Sequence, residues 1–479
     1  MDEKLEQHLL QDYKNVEDYD QEKDLKTRVL IESKKLWQVV GPAIIARVAN
    51  YTMNVVTQAF AGHLGDVELA SMSIANNVLV ALNYGLLLGM ATTLETLCGQ
   101  AFGAKRYNML GIYLQRSWIV LFLASILLLP LYIYATPILK LLGQPEDVAE
   151  LAGLLSIWFI PMHLGFAFQC SLQRFLMSQL KVNVVAVVST LTLVIHAFIS
   201  WLFVSKFQLG VIGATVAFDI STWISIFGLL VYALGGWCPL AWNGFSMEAF
   251  SGLWEFLKLS AASGVMLCLE FWYYRILILM TGNLKNATIA VDALSVCMSI
   301  NGWELMIPFA FLAATGVRVA NELGAGNGKA AKFAAKVSLV QSSIIGIVFC
   351  VLIMMFHDKL ALIFSSSPIV NTAVDKLSYL LAITILLNSV QPVLSGVAIG
   401  SGWQSLVAYV NIGCYYVIGV PLGIVTGWVF NLGVEGIWCS MIFGGTAVQT
   451  AILAILTMQR DWEKEARKAM IADDLSIIS

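Results

Sequence analysis

About twelve apolar runs, each near the 17–25 residues needed to cross hydrocarbon as a helix, divide this chain almost from end to end. They lie near 38–60, 70–95, 110–136, 151–176, 184–204, 211–234, 258–281, 288–315, 337–356, 372–397, 406–428 and 436–457. A bilayer offers backbone amides no water, so runs of this length and uniformity must be helices, because barrel strands alternate polar and apolar residues. Composition agrees: only 12% of residues are charged and the mean hydropathy is +0.78, whereas soluble domains carry about 25% charged residues. The expected fold class is an all-α membrane protein with twelve transmembrane helices.

Outside the runs, residues 1–35 mix acids and bases with no long apolar stretch, which predicts an acidic cytosolic tail with a short helix near 21–40. It lacks the basic start and short apolar core of a cleaved signal peptide. The eight cysteines show no CxxC spacing and fall mostly within apolar runs, so they read as free packing residues, with no metal site expected. Lys105, Arg106, Arg174, Lys181, Arg318, Lys329, Lys332 and Lys336 would share one side of the membrane. The other side would hold fewer bases: Lys140, Lys206, Lys285, Lys359 and Lys376. The bias places both termini in the cytosol.

The chain also resembles itself. "CGQAFGAK" (98–105) matches "VANELGAGN" (319–327), pairing Gln100 with Asn321 and Gly103 with Gly324 at an offset of 221. "LQRFLMSQ" (172–179) falls opposite "LSGVAIGS" (394–401) at an offset of 222, and "LGVIGA" (209–214) opposite "LGVEGI" (432–437) at 223. Ordered landmarks at nearly constant offset imply two six-helix lobes, 36–235 and 257–457, joined by a cytosolic linker at 236–256 and followed by a cytosolic tail at 458–479. Six helices per half return the chain to its starting side, so the lobes are related by an axis along the membrane normal, as in transporters that rock two bundles about a central site. No TVGYG-like filter or arginine ladder indicates a channel. There is no HExxH, GxSxG or P-loop pattern either, so no enzyme, no cofactor and no nucleic-acid partner are expected.

"GPAIIARVANYTMNVVTQAFAGHLG" (41–65), "LETLCGQAFGAKRY" (94–107) and "VRVANELGAGNG" (317–328) resemble signatures of the multidrug and toxic compound extrusion (MATE) family, most closely its plant branch. The resemblance spans residues 35 to 460. It implies a V-shaped pair of pseudo-symmetric six-helix lobes, acting as a monomer and driving efflux with a proton or sodium gradient. It further implies organic cations, alkaloids, flavonoids or other xenobiotics as cargo, with protons as the coupling ion and the vacuolar or plasma membrane as the location. A sodium-coupled antiporter, a lipid-linked or polysaccharide flippase of the same superfamily, and a non-transporting receptor are the rival readings.

Intramembrane acids carry the functional expectation, because charge in hydrocarbon is expensive and marks transport pathways. Glu270, in "GVMLCLEFWYYRILIL" (264–279), lies near mid-membrane and is the first choice for proton coupling or substrate binding. Arg275 at i+5 points about 140° away on the helix, which disfavours an internal ion pair. "MLCLE" also looks like the family's seventh-helix carboxylate motif. Tyr273 and Tyr274 share the Glu270 face and offer either hydroxyls to the carboxylate or plain packing. Glu304, four residues before the helix-breaking Pro308, is the second acid, with Asn301, Trp303 and the more peripheral Asp292 around it.

In the first half, Asn50, Asn54, Thr57 and Gln58 form a polar stripe in which the resemblance would lead one to look for an aspartate. Asn54 stands there instead, shifting the proton chemistry to the second lobe. Asp219, in "VAFDIST", supplies either a first-lobe acid or a packing hydrogen bond. His196 reads as a core histidine. Glu95 and Arg318, at helix ends within the repeated signature, read as gating or structural residues.

Overall fold

The structure, a computed structural model, describes residues 24–282, 284, 287–360, 362 and 367–478; the first 23 residues of the expected tail lie outside them. Among the described residues every regular element is helical. Eleven helices among the described residues are long and apolar enough to cross a membrane, twelve if one bent pair counts as a single span. In chain order the spans are α1 (Leu25–Gly62), α2 (Asp66–Gly103), α3 (Tyr107–Ile133), α4 (Glu146–Trp158 with Ile160–Ser178, bent by 50°), α5 (Val182–Lys206) and α6 (Gly210–Leu234). The second half repeats the plan: α7 (Leu253–Gly282), α8 (Ile289–Gly324), α9 (Gly328–His357), α10 (Pro368–Ser401), α11 (Gln404–Val429) and α12 (Gly433–Gln459). A last helix, α13 (Trp462–Ile478), packs against α8 and α9.

The repeat seen in the sequence is present in the backbone. Lys105, Leu180, Gln208 and Gly210 adopt positive φ of 60°, 62°, 53° and 63°, and Gly326, Gly402, Asn431 and Gly433 adopt 78°, 78°, 54° and 58° at the matching offsets. These are the tight turns that end α2, α4 and α5. Left-handed backbone is disfavoured for residues other than glycine, so its recurrence at three non-glycine positions in the first half reflects a turn geometry that the fold imposes.

Each lobe packs its own six helices, and the lobes meet through α2 against α7 and α8, and through α1 against α8. The crossings need bare backbone. A Cβ on Gly89 would stand 2.8 Å from the Cα of Gly264. A Cβ on Gly103 would collide with the Asn321 carbonyl, and one on Gly324 with the Gln100 carbonyl. The second and third clashes are counterparts in the repeat. Around them Thr96 Oγ1 donates to the Ile399 carbonyl (2.5 Å), Gln100 Nε2 to the Gly400 carbonyl (3.1 Å) and Gln404 Nε2 to Thr96 Oγ1 (2.8 Å). The lobes are therefore sealed together at the end where α2, α8 and α10 terminate.

The first span starts earlier than its apolar run, and the linker packs against its own lobe. α1 begins at Leu25, well inside the anticipated tail, because Glu32 finds a buried partner: Arg318 Nε donates to its Oε1 at 2.8 Å. The linker, irregular except for one 3₁₀ turn at Met247–Phe250, is pinned to α3. Gln115 Nε2 donates to the Gly244 carbonyl and Arg116 Nη2 to the Glu248 carbonyl, at 3.1 and 3.2 Å.

Candidate functional site

Glu270 sits in the middle of α7, 8% exposed, where α10, α11 and α12 converge. Its Oε1 accepts from Ser395 Oγ (3.0 Å) on α10 and from Asn411 Nδ2 (3.2 Å) on α11. The shell extends outward: Gln391 Nε2 donates to Ser395 Oγ and Gln449 Nε2 to Asn411 Oδ1, both at 3.0 Å. Every donor is neutral, and among the described residues Glu270 forms no ion pair. A buried carboxylate held only by neutral donors retains an uncompensated charge, so a proton or a cationic ligand is the natural counterpart.

Glu304 ends the first segment of α8, and Leu305 separates it from a second segment that starts at Met306. Pro308 has no amide hydrogen to return to the Glu304 carbonyl, which accounts for the break at this turn. The side chain is 5% exposed, and neither carboxylate oxygen has a hydrogen-bond partner among the described residues. One turn earlier, Asn301 Oδ1 accepts from Asn388 Nδ2 (3.0 Å), and Asn388 Oδ1 accepts from Tyr274 Oη (2.9 Å). This chain links α7, α8 and α10 between the two acids.

The other expected residues divide. Tyr273 shares the Glu270 face, but its hydroxyl donates to the Met441 carbonyl (2.7 Å) and its ring stacks on Tyr415 at 4.3 Å. Tyr274 joins the network through Asn388, so neither phenol meets the carboxylate itself. Trp303 is 41% exposed and meets Tyr51 of α1 edge-on at 4.8 Å, an aromatic contact across the lobes. Asp292 is exposed and lies twelve residues before Glu304 on α8, about 18 Å along a helix. It is not brought to the acids. Asn54 accepts from Asn76 Nδ2 (2.8 Å), within the first lobe, and Gln58 is half-buried one turn further along α1. His196 is a satisfied core residue between Thr57 and Ser221, at 3.0 Å from each.

Glu95 and Arg318 sit at the sealed end. Arg174 Nη1 donates to Glu95 Oε2 at 2.5 Å, with the two side chains 4% and 0% exposed. Arg318 joins Glu32 and Glu322, its Nη2 lying 2.6 Å from Glu322 Oε1. Asn388, Gln391, Ser395, Asn411 and Gln449 were not singled out from the sequence. The available signal was a spaced set of polar residues around Pro392 in "LLNSVQPVLSG", but one helix's polar face does not reveal which neighbour it meets.

Comparison with known proteins places this geometry. The family described as MatE matches residues 42–202 and again 262–425, one match in each half. Protein DETOXIFICATION 27 of Arabidopsis thaliana is 66% identical over 445 residues, covering 93% of this chain and 92% of that protein. Protein DETOXIFICATION 28 of the same organism is 62% identical over 448 residues, covering 94% and 91%. The crystal structure of the eukaryotic MATE transporter AtDTX14 superposes with a TM-score of 0.89 at 35% identity, over 93% of this chain and 99% of that one. The fold alone is shared with an outward-facing multidrug resistance MATE family transporter of the MOP superfamily, at a TM-score of 0.79 and 16% identity, over 90% and 96% of the two chains.

Proposed function

Because this chain belongs to the multidrug and toxic compound extrusion (MATE) family of membrane transporters, we propose that it is a proton-coupled antiporter that exports organic solutes by alternating access. The observation that carries the reading is Glu270: a buried carboxylate whose hydrogen-bond partners are all neutral and whose charge awaits a counterpart. Proton and cationic cargo compete for that one charge. Each ligand then favours a different arrangement of the lobes, as exchange requires. Glu304 is the second acid, and the Tyr274–Asn388–Asn301 hydrogen-bond chain lies between the two without bonding to either carboxylate. Trp303 and Tyr51 supply aromatic faces suited to a planar or cationic solute.

The sealed end carries Lys105, Arg106 and Lys329, so by the positive-inside bias it faces the cytosol, with both termini on that side. On that reading the closed end is the cytosolic one. The names of the Arabidopsis relatives, DETOXIFICATION proteins, favour toxic or xenobiotic cargo. Either the vacuolar or the plasma membrane suits such a task, and a single chain holds all the groups invoked.

Reconstituted vesicles with independently imposed pH and sodium gradients test the reading. Uptake of a fluorescent organic cation should follow the pH gradient and be indifferent to sodium. A sodium requirement at fixed pH would overturn the choice of ion.

A further inference from the structure

A second cluster of buried polar groups lies wholly in the first lobe and takes no part in the Glu270 network. Asn83 of α2, Tyr132 of α3 and His163 of α4 are 0% exposed, and Asp219 of α6 is 7% exposed. Each has one side-chain atom without a hydrogen-bond partner among the described residues: Asn83 Oδ1, Tyr132 Oη, His163 Nδ1 and Asp219 Oδ1. Tyr132 is the hub. Its ring lies 4.6 Å from that of His163, with Asn83 beside its hydroxyl and Asp219 in the same neighbourhood, and that hydroxyl completes no hydrogen bond among the described residues. Four buried polar atoms without a protein partner, in one part of the lobe, run against the general rule that buried polar groups are paired.

Their remaining bonds define what they lack. Asn83 Nδ2 donates to the Leu79 carbonyl (2.8 Å), so the free Oδ1 is an acceptor. His163 Nε2 lies 2.9 Å from the Ser125 carbonyl, which only accepts; Nε2 therefore carries the hydrogen, and Nδ1 of the neutral ring is an acceptor. Asp219 Oδ1 is a third acceptor, and the Tyr132 hydroxyl is the single donor. The break in α4 adds a feature that tolerates negative charge. The Met162 N–H, in the first turn after Pro161, faces the Asp219 carboxylate, so the positive end of a half-helix points at it in mid-membrane.

We propose that Asp219 is a second, occluded protonation site, where one water molecule ties it to Tyr132, Asn83 and His163. The hydrogen-bond accounting closes in both charge states. With Asp219 protonated, water donates to Asn83 and His163 and accepts from Tyr132 and Asp219. With Asp219 ionised, Tyr132 turns to donate to the carboxylate and water keeps its two acceptors. The titratable groups packed near Asp219 are Tyr132 from α3, His163 from α4 and His196 from α5. His196 is already engaged with Thr57 of α1 and Ser221 of α6. At the far end of α4, Glu146 and Glu150 are tied to Lys140. The site shares no contact with Glu270 and does not depend on that residue's role.

Infrared difference spectra between acidic and neutral pH, taken on the full-length protein in lipid vesicles, read carboxyl protonation directly. The wild type should show a carboxylic-acid C=O band that Asp219→Asn removes and Glu270→Gln leaves. Tyr132→Phe keeps the ring against His163, and it should shift the midpoint of that band by roughly tenfold in proton concentration, one pKa unit. An unchanged spectrum in Asp219→Asn, or an unmoved midpoint in Tyr132→Phe, overturns the proposal. So does loss of the Asp219 band on adding sodium at fixed pH, which would mark a metal-cation site.

Discussion

In the first lobe, α2 and α4 are braced by a buried ion pair, Glu95 with Arg174. At the repeat positions in the second lobe, 221 and 222 residues on, stand Gly316 and Gly396. There α8 and α10 touch backbone to backbone: a Cβ on Gly396 would collide with the Leu312 carbonyl, and one on Gly316 with the Glu95 carboxylate reaching across the lobes. On the same helix the adjacent Ser395 donates to Glu270, and Gln391, one turn before it, donates to Ser395. The same helices thus meet by charge in one half and by absence of side chain in the other. The central chemistry follows suit. α7 carries a carboxylate among neutral donors, whereas α1 offers Asn54 paired with Asn76, two amides that satisfy one another. The repeat keeps one frame, and its side chains have diverged: the first lobe is braced by a buried ion pair, and the second meets on bare backbone beside a buried carboxylate.

The comparison can be broken first at the ion pair. Arg174→Met leaves Glu95 buried without its partner and should destabilise the protein by about 3–5 kcal/mol, read as a lowered melting temperature in detergent or vesicles. Adding Glu95→Gln should recover most of that loss, because the penalty is the stranded charge. On the opposite side, Gly396→Ala should destabilise by about 1–3 kcal/mol through overpacking against the α8 backbone. The charge substitution should thus exceed the glycine one. Equal melting shifts would mean that the two braces do not differ in kind.

The spans, the repeat and the two acids of the second lobe were legible because each rests on local pattern: apolar length, ordered landmarks and charge in an apolar run. Glu304 and its helix break were legible for the same reason, since Pro308 acts four residues away. What was not legible is lateral. Nothing in "NSVQPVLSG" or "VNIGCYY" states that Ser395 and Asn411 converge on one oxygen of Glu270, since that depends on how α10 and α11 rotate against α7. The reach of α1 into the supposed tail was missed because Glu32 is an ordinary surface residue by composition, and only Arg318, 286 positions away, buries it. Tyr273 lay on the right face, yet the nearer Met441 carbonyl took its hydroxyl.

Counting protons during transport tests the assignment of coupling to the second lobe most directly. Vesicles loaded with a pH-sensitive dye are given an organic-cation substrate, and lumenal pH is followed as the substrate crosses. Wild type and Asn54→Ala should both couple substrate entry to proton exit. Glu270→Gln should let substrate equilibrate while proton movement falls by about tenfold or more, the loss of a coupling free energy of about 1.4 kcal/mol. A Glu270→Gln protein that still moved protons in step with substrate, or an Asn54→Ala protein that had lost them, would contradict the account.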